Sequence, residues 1–227
     1  MIYRLDATNG SDVRILNNPF VDSLTTTIRD IHTDSDVLKN NLYDLGKILG
    51  QGIASDHLVL TKEITTPLNM PYTGKVFDTS KDNVIISTLN DYDNFANGIA
   101  SIISNCYRGY IDFGNSRGPS VFSSPIRAIE LPNIISGRHV KYVIIAKSVI
   151  ATSCTAVSLA KKSIEKYMPD GIIVASIFYC ERGIMELHEQ IPNAKIYVCM
   201  NPDTLSQNGM LIPGIGNLDE RIKQELH

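Results

Sequence analysis

What the chain lacks narrows its class first. No apolar run approaches the roughly 20 residues that a membrane-spanning helix needs; "DGIIVASIFY", Asp170 to Tyr179, is typical of the longest. The opening "MIYRLDATNG" carries no apolar signal-peptide stretch, so an intracellular, cytoplasmic protein is expected. Four cysteines, Cys106, Cys154, Cys180 and Cys199, stand far apart without a CxxC pair. That argues against a zinc site or a disulfide framework and for buried or inert thiols. Five histidines (His32, His57, His139, His188, His227) show no HxxxH spacing, so no histidine-held metal is expected. A net charge of -3 with both signs scattered along the chain leaves no basic stripe. Neither nucleic acid nor an anionic membrane is expected as a partner.

What remains is a chain of 227 residues, 43% hydrophobic, able to bury the core of one domain. Residues 1–60 read as a helical arm. Ser35 or Asp36 can cap a helix from about Val37 to Ser55, with Leu38, Leu42, Leu45, Ile48, Leu49 and Ile53 on one face. "HLVLTKEITTPL" alternates and is rich in threonine, which predicts a strand ending at Pro67, and "TPLNMPYTG" reads as a turn or exposed loop. From Asn83 the pattern becomes short apolar runs ("NVIIST", "YIDFG", "KYVIIA", "GIIVASIF", "AKIYVCM") separated by helical stretches. This alternation predicts an α/β fold with a parallel sheet covered on both faces. Such sheets bind ligands beyond the carboxyl ends of their strands, where helix N-termini point amides at anions.

Two loops carry candidate chemistry. In "AKSVIATSCTAV" a strand ends near Ala146 and a helix starts near Cys154 or Thr155. Thr152, Ser153 and Thr155 offer hydroxyls there, and the turn amides with the helix dipole suit a phosphate, although the same residues also serve as ordinary caps. Cys154 at that helix start is a candidate oxidisable thiol or an inert one. In "NGMLIPGIGNLDER", Asn208 to Arg221, Gly209, Gly214 and Gly216 flank Pro213. That combination brings main-chain N–H and C=O groups close to a planar ligand, such as the edge of a pyrimidine.

Together these pieces resemble the uracil phosphoribosyltransferase family along nearly the whole chain. "VRILNNPFVDSLTTTIRDIHT" matches its N-terminal pattern at Asn18, Pro19, Leu24, Thr25, Arg29 and Asp30. "TTPL", Thr65 to Leu68, is similar to its "ETPL", and "GMLIPGIGNLDER" to its "GYIVPGLGDAGDR". The resemblance implies a phosphoribosyltransferase (Rossmann-like) parallel sheet flanked by helices, with a small hood. On that pattern residues 1–60 form the helical N-terminal arm, 83–200 the α/β core and 201–227 the hood with its pyrimidine loop. It also implies conversion of uracil and phosphoribosyl diphosphate to UMP and diphosphate with Mg2+, in a homodimer or higher oligomer.

Residue by residue, the inheritance is divided. The ribose and phosphate loop, similar to "DPMLATGGSA", is here "KSVIATSCTA". Ala151, Thr152, Ser153, Cys154 and Thr155 keep its phosphate-cradling half, but Lys147 replaces the aspartate expected to hold the ribose hydroxyls. The diphosphate loop "ILRAGL" is matched by Thr88 to Asp93: Asn90 replaces an arginine, and Asp91 and Asp93 add negative charge beside a polyanion. A second arginine falls at Asn115 in the simplest alignment, with Arg117 two residues away as a substitute. Leu211, Gly216, Asn217 and Leu218 make up the uracil loop, Asn217 in place of an aspartate and Met210 of a tyrosine. The Arg29–Asp30 pair reads as a local surface ion pair or an inter-subunit contact. Three readings follow. The first is a family member with a degenerate phosphoribosyl diphosphate site that binds UMP, uracil or phosphate with catalysis weak or lost and no resident metal. The second is an active salvage enzyme using Mg2+, with Arg117, Lys141 or Lys147 on the diphosphate. The third is a partner subunit of an active paralogue.

Overall fold

The computed structural model describes residues 3–5, 13–114 and 116–223; Asn115 and His227 lie outside the described residues. In chain order the elements are β1 (Tyr3–Leu5), β2 (Val13–Leu16), α1 (Pro19–Arg29), α2 (Ser35–His57), β3 (Val59–Thr65), β4 (Pro71–Phe77) and β5 (Asp82–Thr88). Next come α3 (Leu89–Tyr92), α4 (Phe95–Ala100), β6 (Cys106–Asp112), a 3-10 turn (Gly118–Phe122), β7 (Ala128–Glu130), β8 (Val140–Ala146) and β9 (Val149–Ile150). The chain continues through α5 (Cys154–Tyr167), β10 (Gly171–Ser176), β11 (Phe178–Tyr179), α6 (Glu181–Gln190), β12 (Lys195–Cys199), β13 (Thr204–Leu205), β14 (Leu211–Ile212) and α7 (Leu218–Lys223).

An eight-stranded sheet in the order β1-β2-β12-β10-β8-β5-β6-β7 forms the centre. Its pairings from β2 to β6 are parallel, and only the outer pairs β1–β2 and β6–β7 are antiparallel. Successive strand residues point to opposite faces, which divides the core in two. Ile85, Ile144, Ile173 and Tyr197 pack beneath α1, α2 and α4. Val84, Ile86, Val143, Ile145, Val174 and Val198 pack beneath α5 and α6. Burial on both faces is why these strands read as continuous apolar runs, and the mainly parallel α/β sheet is as expected.

The N-terminal region departs from a purely helical arm: "VRIL" is strand β2, parallel to β12 in the main sheet. Four residues hold too short a period to be read as a strand without the partner they complete. In α2 the apolar face is as expected, with Leu38, Leu42, Leu45, Leu49 and Ile53 fully buried. Its cap is Asp34, however, whose Oδ1 accepts from Val37 N at 2.8 Å. Ser35 is committed elsewhere, donating to Ile222 O at 2.6 Å. "TPLNMPYTG" is likewise only partly a turn, because Pro71 onward forms β4, paired antiparallel with β3. Helices α2 and α4 touch through glycines: a Cβ on Gly98 would lie 2.0 Å from Tyr43 O. Burial pushes the thiols of Cys106 and Cys199 up to about 12. Among the described residues no helix is long and apolar enough to cross a membrane.

Candidate functional site

Chain order reverses direction in the sheet between β5 and β8: from β5 the chain moves to β6 on one side, and from β8 it moves to β10 and β12 on the other. A crevice opens at such a reversal, beyond the carboxyl ends of the strands. A cavity of about 450 Å³ lies there. Thr88 ends β5 and Asn90 follows it in α3, Asp112 ends β6, Lys147 follows β8, and Thr152 and Thr155 stand at the start of α5. The C-terminal loop closes the far wall with Leu211, Gly216, Asn217 and Leu218. Four stretches far apart in sequence thus meet in one space.

Its electrostatics centre on one ion pair. Lys147 Nζ donates to Asp91 Oδ2 at 2.8 Å, and Thr88 Oγ1 donates to the same oxygen at 2.8 Å. The Asp91 side chain is 1% exposed and that of Lys147 17%. Asp91 therefore lies beneath the wall, and its charge is spent on the ammonium. Asp93 faces solvent, 3.9 Å from Arg108. The two acids of "NDYD" do not add free negative charge to the cavity. Lys141, the other lysine considered for an anion, sits at the opposite end of β8, paired with Asp78 at 3.0 Å.

The loop from Ala151 to Thr155 divides in the same way. Ala151, Thr152 and Thr155 line the cavity, whereas Ser153 and Cys154 are not in its wall. Ser153 is buried, and its amide approaches Glu186 Oε2 of α6 at 3.5 Å. Cys180 backs the loop: its thiol donates to Ala151 O at 3.0 Å, and burial pushes its pKa up. Arg117 spans the mouth from the other side, donating to Asn217 Oδ1 at 2.8 Å and to Asp219 Oδ2 at 3.1 Å. The residue expected near a diphosphate is therefore tied to the C-terminal loop.

Sequence reasoning missed Asp112 and Asp219 in the wall, and Glu186 and Cys180 behind it. Asp112 had a readable signal in its place at a strand's carboxyl end. The others depend on tertiary contacts. Asp112 Oδ1 accepts from Gly114 N at 2.8 Å, and Asp219 is taken by Arg117. Among the described residues no three His, Cys, Asp or Glu side chains gather to hold a metal ion.

Arg29 and Asp30 do not pair with each other. Arg29 turns inward to Asp203 and to the carbonyl of Gly214, while Asp30 Oδ1 accepts from His32 N at 2.9 Å.

Known proteins resemble the chain over nearly its full length. The curated uracil phosphoribosyltransferase of Metamycoplasma hominis is 26% identical over 211 residues, 92% of this chain and 97% of the relative. That of Natronomonas pharaonis is 25% identical over 217 residues, 92% and 95% of the two chains. Among solved structures, the AQ2163 protein from Aquifex aeolicus shares the fold with a TM-score of 0.74 at 23% identity, covering 93% of this chain and 97% of that one. A family model described as uracil phosphoribosyltransferase matches residues 15–222, and the chain belongs to the uracil phosphoribosyltransferase family.

Proposed function

We propose that the chain binds a pyrimidine or its 5′-monophosphate, uracil or UMP, in this cavity, and that transfer from phosphoribosyl diphosphate is impaired or lost. The observation that carries this reading is the Lys147–Asp91 pair at the junction of β5 and β8. The family pattern expects at position 147 a carboxylate that holds ribose hydroxyls and supports the positive charge growing on the sugar as diphosphate leaves. An ammonium supplies neither. Free, it would oppose a unit charge 4 Å away by about 4 kcal/mol at an effective dielectric of 20. Locked onto Asp91, it is close to neutral. Either way the stabilising group is gone, and removal of one preorganised contributor lowers turnover by on the order of 100 to 1,000 fold. Asn90 in place of an arginine removes a second, so even with strong non-additivity the rate falls by several powers of ten.

Two binding elements remain. The start of α5 offers amides and the hydroxyls of Thr152 and Thr155 to one phosphate, favoured by the helix dipole. The backbone between Leu211 and Asn217 offers a planar base its alternating donors and acceptors. UMP carries both groups. The test is direct: with uracil, phosphoribosyl diphosphate and magnesium the purified protein should release no diphosphate, while UMP should raise its melting temperature. Sustained uracil-dependent release would reject the reading.

A second reading, an active uracil phosphoribosyltransferase, is favoured by Arg117 in the cavity wall and by relatives of that name matching almost end to end. It requires Arg117 to leave Asn217 and Asp219 for the diphosphate. Under it, Arg117→Ala abolishes turnover. Under the first reading there is no turnover to lose.

A further inference from the structure

The loop that closes the cavity has little secondary structure of its own. Between β14 and α7 the chain runs through Pro213, Gly214, Ile215, Gly216 and Asn217. Gly214 has φ +64, and a Cβ there would lie 2.2 Å from Leu211 O, so the turn requires glycine. Gly216 has φ +68 and is exposed. Such a backbone does not hold one shape unaided, yet a base read by main-chain groups needs them held to within a fraction of an ångström.

Two arginines supply the hold from below. Arg29, the last residue of α1, meets Asp203 with a two-pronged fork, NH1 to Oδ2 at 3.0 Å and NH2 to Oδ1 at 2.8 Å. The same NH1 donates to Gly214 O at 2.8 Å, and Gly214 N donates to Asp203 Oδ2 at 3.3 Å. Both polar groups of one loop residue are thereby fixed by one ion pair. Asp203 is 6% exposed, and the Arg29 guanidinium lies over the Phe178 ring at 4.7 Å, which fixes its plane. Arg221 acts from the other end of the loop. Its NH1 donates to Ile215 O at 2.9 Å and to Ile28 O at 2.6 Å, and its NH2 to Asp30 O at 2.7 Å. Each arginine thus ties the C-terminal end of α1 to a carbonyl of consecutive loop residues.

We infer that Arg29, with Asp203, and Arg221 are positioning residues that hold the Gly214–Asn217 backbone against α1 in the shape that reads the base. The inference rests on the pyrimidine-binding reading above. It explains why an arginine and an aspartate 174 positions apart pair in preference to the adjacent Arg29 and Asp30. A planar fork is what this geometry uses, and lysine does not provide one.

The experiment compares wild type with Arg29→Gln, Arg29→Lys, Arg221→Gln and the double variant Arg29→Gln/Asp203→Asn, which removes the fork without stranding a buried carboxylate. Three quantities are read on the full chain: amide exchange of residues 211–218 without ligand, and dissociation constants for uracil and for inorganic phosphate. In each variant, exchange at 214–217 is expected to rise about tenfold or more, the scale of one lost charge-assisted hydrogen bond. Uracil affinity is expected to fall by a similar factor, with phosphate affinity at the start of α5 within about twofold, since distant sites act independently. Arg29→Lys should not rescue. A purely structural role would weaken both ligands alike. Wild-type exchange in the double variant, or equal loss of both ligands, overturns the inference. If the wild type takes up no uracil, the pyrimidine reading fails instead, and exchange alone decides the clamp.

Discussion

Replacing Lys147 by methionine keeps the chain length and removes the ammonium from Asp91. At 2.8 Å and an effective dielectric of 20 the attraction between the two charges is about 6 kcal/mol, and burial costs several kcal/mol per ion, so the intact pair comes near to breaking even. Breaking it does not. A buried carboxylate left without its partner costs about 3 to 5 kcal/mol, lowered here to about 2 to 3 because Lys147 borders a wet cavity and Thr88 still donates to Asp91. For a chain of this size that corresponds to a fall in melting temperature of roughly 5–10 °C. Asp91→Asn keeps the shape and leaves the Thr88 contact available, and with Lys147→Met in the same chain most of the loss should be recovered. The coupling in a thermal or urea double-mutant cycle is therefore expected at about 1.5 to 3 kcal/mol. Inorganic phosphate supplies the second reading of the cycle. Asp91→Asn frees the ammonium for the cavity and should tighten phosphate binding, whereas Lys147→Met should weaken it. Additive stabilities together with unchanged phosphate affinity would mean that the pair is screened by solvent, and the case for a neutralised catalytic position would fall with it.

Acid provides an independent check at the other end of β8. The Ser80 hydroxyl and amide, then Lys141, hold the Asp78 carboxyl down to about 2 from a usual 3.8. A lowered folded value stabilises above the unfolded value, so this contribution should be complete above about pH 4 and be lost as pH falls toward about 2. Melting curves of wild type and Asp78→Asn should converge across that window, and parallel curves would refute the assignment. Gly98→Ala should cost about 1 to 3 kcal/mol or more by urea unfolding, because its Cβ meets the carbonyl of Tyr43 and backbone cannot yield as a side chain does; a neutral result would mean that α2 and α4 can separate freely.

Local pattern determined much of this protein. Strands β5, β8, β10 and β12 are legible because burial on both faces turns each into an apolar run, and α2 because its leucines recur at the helical period. The phosphate-side loop is legible too, since a strand, a short hydroxyl-rich turn and a helix follow one another within a dozen residues. Strand β2 is not, because four residues hold no period and only β12 makes them a strand. Nor is the cap of α2, where Ser35 is drawn away by the carbonyl of Ile222. The charges of the site mislead for the same reason. Read singly, Lys147 opposes a developing cation and Asp91 a polyanion; only the adjacency of β5 and β8 brings residues 56 positions apart to within 2.8 Å, where each cancels the other. Arg29 likewise looks like the partner of its neighbour Asp30 until the fold presents Asp203. Sequence carries the short-range terms, periodicity and turn chemistry, while pairing between distant charges depends on strand order, and the tertiary structure alone decides it.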